Sequence, residues 1–535
     1  MKQSTPTLRA LLTSFAMLSA TAVACCCAAP LAQADALYRE PFRPQFHFSP
    51  PAQWMNDPNG MVYWAGEYHL FYQYHPASTV WGPMHWGHAI SKDLLHWRQQ
   101  PIALYPDRHG AIFSGSVVVD RGNTSGLGTV KNPPLVAIFT HHDMRREKQG
   151  AIDIESQGMA YSLDHGRTWV KYAHNPVLPN PGLRDFRDPK VFWFEPQHKW
   201  VMTLAVKDHV SFYSSKDLQH WVHESDFGHD QGAHGGVWEC PDLVEMVIAG
   251  ESTRRFVLLA SVNPGAPNGG SGTQYFIGGF DGHEFTLDAE QQRIAKPGSA
   301  HWLDVGTDHY AAVTWSGLPA ADGRVLLLGW MSNWTYAQIV PTTRWRSAMT
   351  LPRELALVRT ARGLEVQSRP APELKALRIR SEAIPAARVA VSTELVKPAF
   401  ASSGLLELSV AINAPDEAVV TLAFRNRAGE TTLFRVNRKQ HRYELDRSRS
   451  GLVSFSPAFA ALQTAPMPAG DGRISLQVFV DRSSLEVFIN GGETVFTALV
   501  FPQTPYDSVE LSADRDFDLT SGSVSELKSI CGATP

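Results

Sequence analysis

Ser91-Lys92-Asp93-Leu94-Leu95-His96-Trp97 returns in this chain as Ser215-Lys216-Asp217-Leu218-Gln219-His220-Trp221, and a looser cousin, Ser162-Leu163-Asp164-His165-Gly166-Arg167-Thr168-Trp169, lies between them. Each copy follows a short apolar run and ends in tryptophan, which marks it as a hairpin turn within a repeated sheet unit. Starts at 91, 162 and 215 are too widely spaced for a solenoid and suit four-stranded propeller blades with insertions. From Tyr38 to about Val358, short β-branched and aromatic runs (Met61 to Trp64, Tyr68 to Tyr72, Ser116 to Val119, Leu135 to Phe139, Lys199 to Leu204) are punctuated by Gly, Pro, Asn and Asp, the all-β signature. No long segment has a helical period. At roughly 60 to 70 residues per blade the stretch makes five blades around an axial funnel, where each inner strand can offer a residue to a common pocket.

Composition shifts near residue 370. Pro370-Ala371-Pro372 and the Ala- and Arg-rich residues to about Ala390 read as a connector. Beyond it Leu406-Glu407-Leu408-Ser409-Val410-Ala411-Ile412 alternates with period two, and Val487-Phe488-Ile489-Asn490-Gly491-Gly492 ends a strand on a hairpin turn, so a β-sandwich is expected. The expected plan is all-β: a signal peptide over 1–34, a five-bladed β-propeller over 35–365, a linker over 366–395 and a β-sandwich over 396–535.

Lys2 and Arg9 precede an apolar segment from Leu11 to about Ala24, and Ala32-Gln33-Ala34 has the small-x-small form of a secretory cleavage site. Cleavage near Ala34 would leave a secreted or periplasmic protein, and no segment has the twenty or so apolar residues of a membrane span. Cys25, after Ala22-Val23-Ala24, leaves lipidation as a rival without the leucine that such signals carry. Removing residues 1–34 takes Lys2 and Arg9 from 48 basic side chains against 52 acidic ones, moving the net charge from −4 to −6. That balance offers neither a basic face for nucleic acid nor a polybasic membrane anchor. Of five cysteines only Cys240 and Cys531 remain, and sequence alone does not say whether they pair.

Three acids sit in unusual company. Trp54-Met55-Asn56-Asp57-Pro58-Asn59-Gly60 holds a carboxylate in a turn, because Pro58 fixes φ and Asn59-Gly60 tolerates positive φ. Arg187-Asp188-Pro189 sets a carboxylate beside a guanidinium, and Trp238-Glu239-Cys240-Pro241 sets one between an indole and a thiol. Cleaving a glycosidic bond needs one carboxyl group to protonate the leaving oxygen and another to attack or stabilise the oxocarbenium-like centre. Apolar neighbours would desolvate Glu239 and make it the proton donor. Asp57 among amides and Asp188 beside Arg187 would stay ionised, the first as nucleophile and the second to offset developing positive charge. The pairs His85/His88 and His141/His142 with Asp143 have ligand-like spacing, but paired carboxylates make metal catalysis unnecessary, so these histidines are assigned to packing or sugar contacts and neither metal nor cofactor is expected.

Taken together these motifs resemble glycoside hydrolase family 32, the invertase, inulinase and levanase group, and most closely its bacterial levanases. Further runs carry the resemblance: Phe71-Tyr72-Gln73-Tyr74-His75-Pro76, Trp81-Gly82-Pro83-Met84-His85-Trp86-Gly87-His88, Phe113-Ser114-Gly115-Ser116, Trp238 to Asp242 and, late in the chain, Asp481-Arg482-Ser483-Ser484-Leu485-Glu486-Val487-Phe488. It implies a five-bladed propeller plus β-sandwich, with Asp57 as nucleophile, Asp188 as transition-state stabiliser and Glu239 as acid/base. Substrate contacts are implied for Asn56, Gln73, Trp81, Phe113, Ser114, Arg187 and Trp330, with Trp54 and Met55 of the first run counted among them. The expected substrate is a fructan or sucrose. An invertase, a fructosyltransferase and a non-catalytic fructan-binding module stand as alternatives. Double displacement sets an expected gap of about 5 to 5.5 Å between the Asp57 and Glu239 carboxyl groups.

Overall fold

Leu135–His142, whose first five residues are all apolar, forms a strand buried along its whole length, whereas Trp97–Leu104, with polar residues interleaved, forms a half-exposed edge. Burial on both faces thus falls to the continuous apolar runs. A computed structural model describes residues 38–531 apart from 294, 399, 401, 402 and 471. The expected signal peptide lies outside the described residues.

Seven β-sheets are present among the described residues, five of four or five strands in the N-terminal part and two of six and seven strands after it. Each of the five smaller sheets begins with its innermost strand: Gln53–Trp64, Ala111–Val119, Phe186–Phe194, Val237–Val247 and Tyr310–Thr314. These five strands pack on one another in a closed series, first against second, second against third, and the last back against the first. Chain closure comes from Trp345–Arg346, which pairs in parallel with Gln53 and Trp54.

The three repeated turns occupy equivalent places, each leaving the third strand of a sheet. Their chemistry is shared. Asp93 Oδ1 accepts from the amides of Leu95 and His96 while Trp97 Nε1 donates to Leu94 O. Asp217 and Trp221 repeat this pattern with Gln219, His220 and Leu218, and Asp164 and Trp169 approximate it with Thr168 and Gly166. The fourth residue of each copy has positive φ: Leu94, His165 and Leu218. Side-chain carboxylates that hold successive amides make such strained turns reproducible.

The two larger sheets enclose an apolar core that includes Leu408, Val410, Leu422, Phe434, Val478, Val487, Phe496 and Leu511. The alternating Leu406 run is the strand Leu406–Asn413, and the Asn490-Gly491-Gly492 turn joins Ser484–Ile489 to Thr494–Leu499. Residues 366–395, expected to be a linker, are built into the fold instead. Gly363–Pro370 completes the fifth small sheet, a 3-10 turn spans Pro372–Leu377, and Arg378–Ile384 pairs with the strand Phe517–Leu527. Arg378–Ile384 is exposed along nearly its whole length because it is an edge strand, so its composition mimics that of a connector.

Candidate active site

Each of the five innermost strands is bulged, and in four of them the bulge includes a residue of the acid cluster or its cleft. Asp57 is the unpaired residue between Asn56, opposite Gln73, and Pro58, opposite Tyr72. Phe113 and Ser114 together face the single Thr140, Asp188 and Pro189 face Leu204, Cys240 and Pro241 face Ala260, and Ala311 and Ala312 face Gly329. Two of these breaks contain a proline, Pro189 and Pro241, and Pro58 borders a third, each without an N–H to give the ladder. Asp188, Cys240 and Ala311 adopt positive φ (66, 47 and 51°), strain of the kind that re-aims side chains at a site.

The bulges bring the three expected acids into one cluster. Ser114 Oγ donates to Asp57 Oδ2 at 3.0 Å, and the Cys240 amide donates to Asp188 Oδ2 at 3.0 Å. Cys240 Sγ bridges them, 3.9 Å from Asp57 Oδ2 and 3.7 Å from Asp188 Oδ2. Glu239 Oε1 accepts from Arg187 Nη2 at 2.9 Å, and its Oε2 accepts from the Tyr310 hydroxyl. Arg187 is itself held by Asp185 at 2.7 Å and Glu155 at 3.4 Å.

Electrostatics depart from the sequence expectation. Burial, with the charge of Glu239, pushes the Asp57 carboxyl up to about 6 against hydrogen bonds from Asn56 and Ser114. Burial raises Asp188 to about 8 against the pull of Arg187, and Glu239 and Asp57 add to the rise. The two aspartates, which the sequence expectation left ionised, are therefore desolvated acids. Its apolar neighbour Trp238 points the other way, stacked 5.7 Å from Phe276 and bonded to Ala233 O, while Glu239 keeps a fifth of its side chain exposed beside Arg187. Of the three acids Arg187 bonds only Glu239, so the buried aspartates keep their protons to higher pH than isolated carboxylates.

The acids floor a cleft of about 360 Å³ whose walls include Asn56, Gln73, Trp81, Phe113, Ser114, Arg187, Asn263 and Trp334. Trp54, Met55 and Trp330 do not line it. All three are fully buried behind its wall, where Trp54 Nε1 holds Asn56 Oδ1 at 2.7 Å and stacks 5.8 Å from Trp334. Direct sugar contact expected of these residues gives way to support of Asn56 and Trp334. A larger cavity of about 550 Å³ lies between Val118–Arg121 and Val191–Trp200, but its Asp120 is committed to Thr124 and Ser125.

Sequence reasoning missed Tyr310, Glu155, Asp185 and Trp334. Asp185 lies two residues before Arg187, but its left-handed φ of 54°, just outside the strand, means that strand alternation does not explain its meeting Arg187. Tyr310 and Trp334 enter from strands and loops distant in sequence, without a local signal. The weighed histidines serve packing and orientation. His88 stacks 4.2 Å from Phe71, and His142 stacks 4.1 Å from Phe113 while bonding Glu155 and Glu147. Cys240 and Cys531 are both free thiols.

Comparison with known proteins agrees with this geometry. Residues 47–370 match the Glycosyl hydrolases family 32 N-terminal domain, and residues 373–528 match the Glycosyl hydrolases family 32 C terminal. Levanase of Bacillus subtilis (strain 168) is 47% identical over 503 residues, 93% of this chain and 72% of the relative. The extracellular exo-inulinase inuE of Aspergillus niger is 40% identical over 508 residues, 90% of this chain and 93% of the relative. Among solved structures, exo-inulinase from Aspergillus awamori superposes with a TM-score of 0.84 at 37% identity, covering 92% of this chain and 99% of that one. The β-fructofuranosidase from Schwanniomyces occidentalis complexed with fructosyl-erythritol gives 0.81 at 30% identity with the same coverage.

Proposed function

The chain belongs to glycoside hydrolase family 32, and from that membership we propose that it is an exported, retaining glycosidase that releases fructose from β-fructans, levan foremost, with inulin and sucrose as further substrates. The observation that carries the reading is the convergence of Asp57, Asp188 and Glu239 from three bulged strands on one cleft, bridged by Cys240. Levanase and exo-inulinase relatives support the substrate class, and the extracellular inulinase relative supports export after cleavage near Ala34. Five small sheets with inner strands packed in series are read as five blades, followed by a sandwich from about residue 396.

Asp57 attacks the anomeric C2 of a terminal fructofuranosyl unit while Glu239 gives its proton to the departing oxygen, so that the C2–O bond breaks as the ester to Asp57 forms. Glu239, now a base, takes a proton from water, which adds to C2 and frees Asp57. Asp188 faces the charge that develops on the ring, and its backbone bond from Cys240 fixes it there. Arg187 and Tyr310 hold Glu239 at the cleft wall. A cleft closed behind by Trp54, Trp330 and Trp334 suits attack on a chain end.

Incubating the mature protein with levan, inulin and sucrose and resolving the products by chromatography tests the reading. Free fructose is the expected product. Short oligomers would replace exo-attack by endo-attack, products longer than the substrate would make the chain a fructosyltransferase, and no products would leave a fructan-binding module.

A further inference from the structure

Among the described residues, one group of histidine and carboxylate side chains is spaced to hold a metal ion: Asp208, His209 and His229, with ligand atoms all within 4.8 Å of one another. In the sequence they are up to 21 positions apart and carry no recognisable ligand spacing. Asp208 and His209 stand at the turn between Lys199–Val206 and His209–Ser215, and His229 lies on the glycine-rich segment that leads into the strand of Glu239.

Two unsatisfied contacts point to a missing cation. His209 is nine-tenths buried, yet its Nδ1 has no hydrogen-bond partner. Asp208 Oδ1 stands 3.6 Å from it, beyond a hydrogen bond. Two ligands of one tetrahedral zinc, at roughly 2.0 to 2.2 Å from the ion, stand roughly 3.3 Å apart, close to that spacing. His234 repeats the pattern on the other carboxylate oxygen. Its Nε2 donates to Gln231 O at 2.9 Å, which leaves a lone pair on Nδ1 of the neutral ring, 3.6 Å from Asp208 Oδ2. Lone pairs facing a carboxylate repel unless a proton or a cation lies between them.

We propose that Asp208, His209 and His229 bind one divalent transition-metal ion of the zinc class, with His234 or water in the fourth position. The ion would clamp the glycine-rich segment to the turn at Lys207. That turn already touches the acid cluster's supports: Trp238 N donates to Lys207 O at 2.6 Å, and Lys207 N donates to the carbonyl of Asp185, whose carboxylate holds Arg187. The role is one of positioning, outside the reacting groups.

The test uses the untagged mature protein, stripped with a chelator and titrated with zinc chloride by calorimetry and with cobalt chloride by visible absorption. One equivalent of zinc, cobalt bands of a tetrahedral N/O site and a raised melting temperature are expected. His229→Ala, at an exposed position, should weaken zinc binding at least tenfold without loss of fold. His198→Ala, an exposed histidine at the opposite turn of the same sheet, should leave binding unchanged. No saturable binding, undiminished binding by His229→Ala, or equal loss in His198→Ala would overturn the site.

Discussion

Two buried clusters of charge, one in the cleft and one between the small and large sheets, use the same residue types and come out electrostatically opposite. In the cleft Arg187 pairs with Glu239, Asp185 and Glu155 and its charge pulls on Asp188, yet Asp57 and Asp188 are both pushed up. Between the sheets Glu486 is held by Arg353 at 2.6 Å and by His47 at 2.9 Å, with the Leu351 amide at 2.8 Å, and its carboxyl is brought down to about 2 although burial alone would raise it. His47, between Asp481 and Glu486, is carried up to about 9 despite burial. Asp304 makes the rule visible within that second cluster, because Arg353 is its one ion-pair partner and it rises to about 6. Counted per carboxylate, cations decide whether a buried acid is poised for proton chemistry or locked as a structural anion. The cleft is short of cations and the interface is nearly supplied with them.

The strongest way to break this contrast is in the cleft. Glu239→Ala should lower kcat by about 10² to 10⁴ while the melting temperature holds, since the acid works on the reaction and not on the fold. Unchanged turnover in steady-state assays on sucrose would remove Glu239 from the chemistry. At the interface the reverse is expected. Arg353→Met takes the guanidinium from Asp304 and leaves Glu486 with His47, and should cost about 3 to 5 kcal/mol of stability, read by thermal unfolding, with kcat/KM at 25 °C little changed in the molecules that remain folded.

His47→Asn sharpens the comparison through pH. A folded-state pKa raised from 6.5 to about 9 contributes stability that is fully present below pH 6.5 and lost as pH rises through 9, roughly 3 kcal/mol in all. Wild-type melting temperature should therefore fall across that window, and the variant's should be lower but flatter. The smallest effect expected is a gain. Asp188, raised from 3.8 to about 8, makes the native state bind more protons than the unfolded chain, so stability declines as pH rises between those values. Asp188→Asn keeps an acceptor for the Cys240 amide and tolerates the positive φ, so it should melt a few degrees above wild type at pH 8 and level with it at pH 3.5, while losing activity. A lower melting temperature at pH 8 would mean that Asp188 is a structural anion after all.

Much of this was legible in the chain. The repeated Ser-x-Asp turns declare the sheets because a carboxylate capping two amides and a tryptophan reaching back one turn are local devices, written in adjacent residues. Asp57-Pro58, Asp188-Pro189 and Glu239-Cys240-Pro241 announce the bulges, because proline cannot join a ladder. Protonation was not legible. Trp238 reads as a desolvating neighbour of Glu239 only until strand alternation turns it to the opposite face, and the burial of Asp57 and Asp188 comes from four other strands. Trp330 was placed in the cleft on resemblance, whereas Trp334, four residues later in the loop after the strand, is the tryptophan on the wall. Edge strand Arg378–Ile384 looked like a linker because exposure, which an edge allows, leaves the same composition as a connector.

In the proposed mechanism Asp57 attacks C2 and Glu239 supplies and recovers the proton. The most direct measurement is cleavage of sucrose in the presence of methanol, with the anomeric form of the methyl fructofuranoside read by NMR before further hydrolysis. Double displacement predicts methyl β-fructofuranoside, the configuration of the substrate. Methyl α-fructofuranoside would mean single displacement, and Asp57 could not then be the nucleophile.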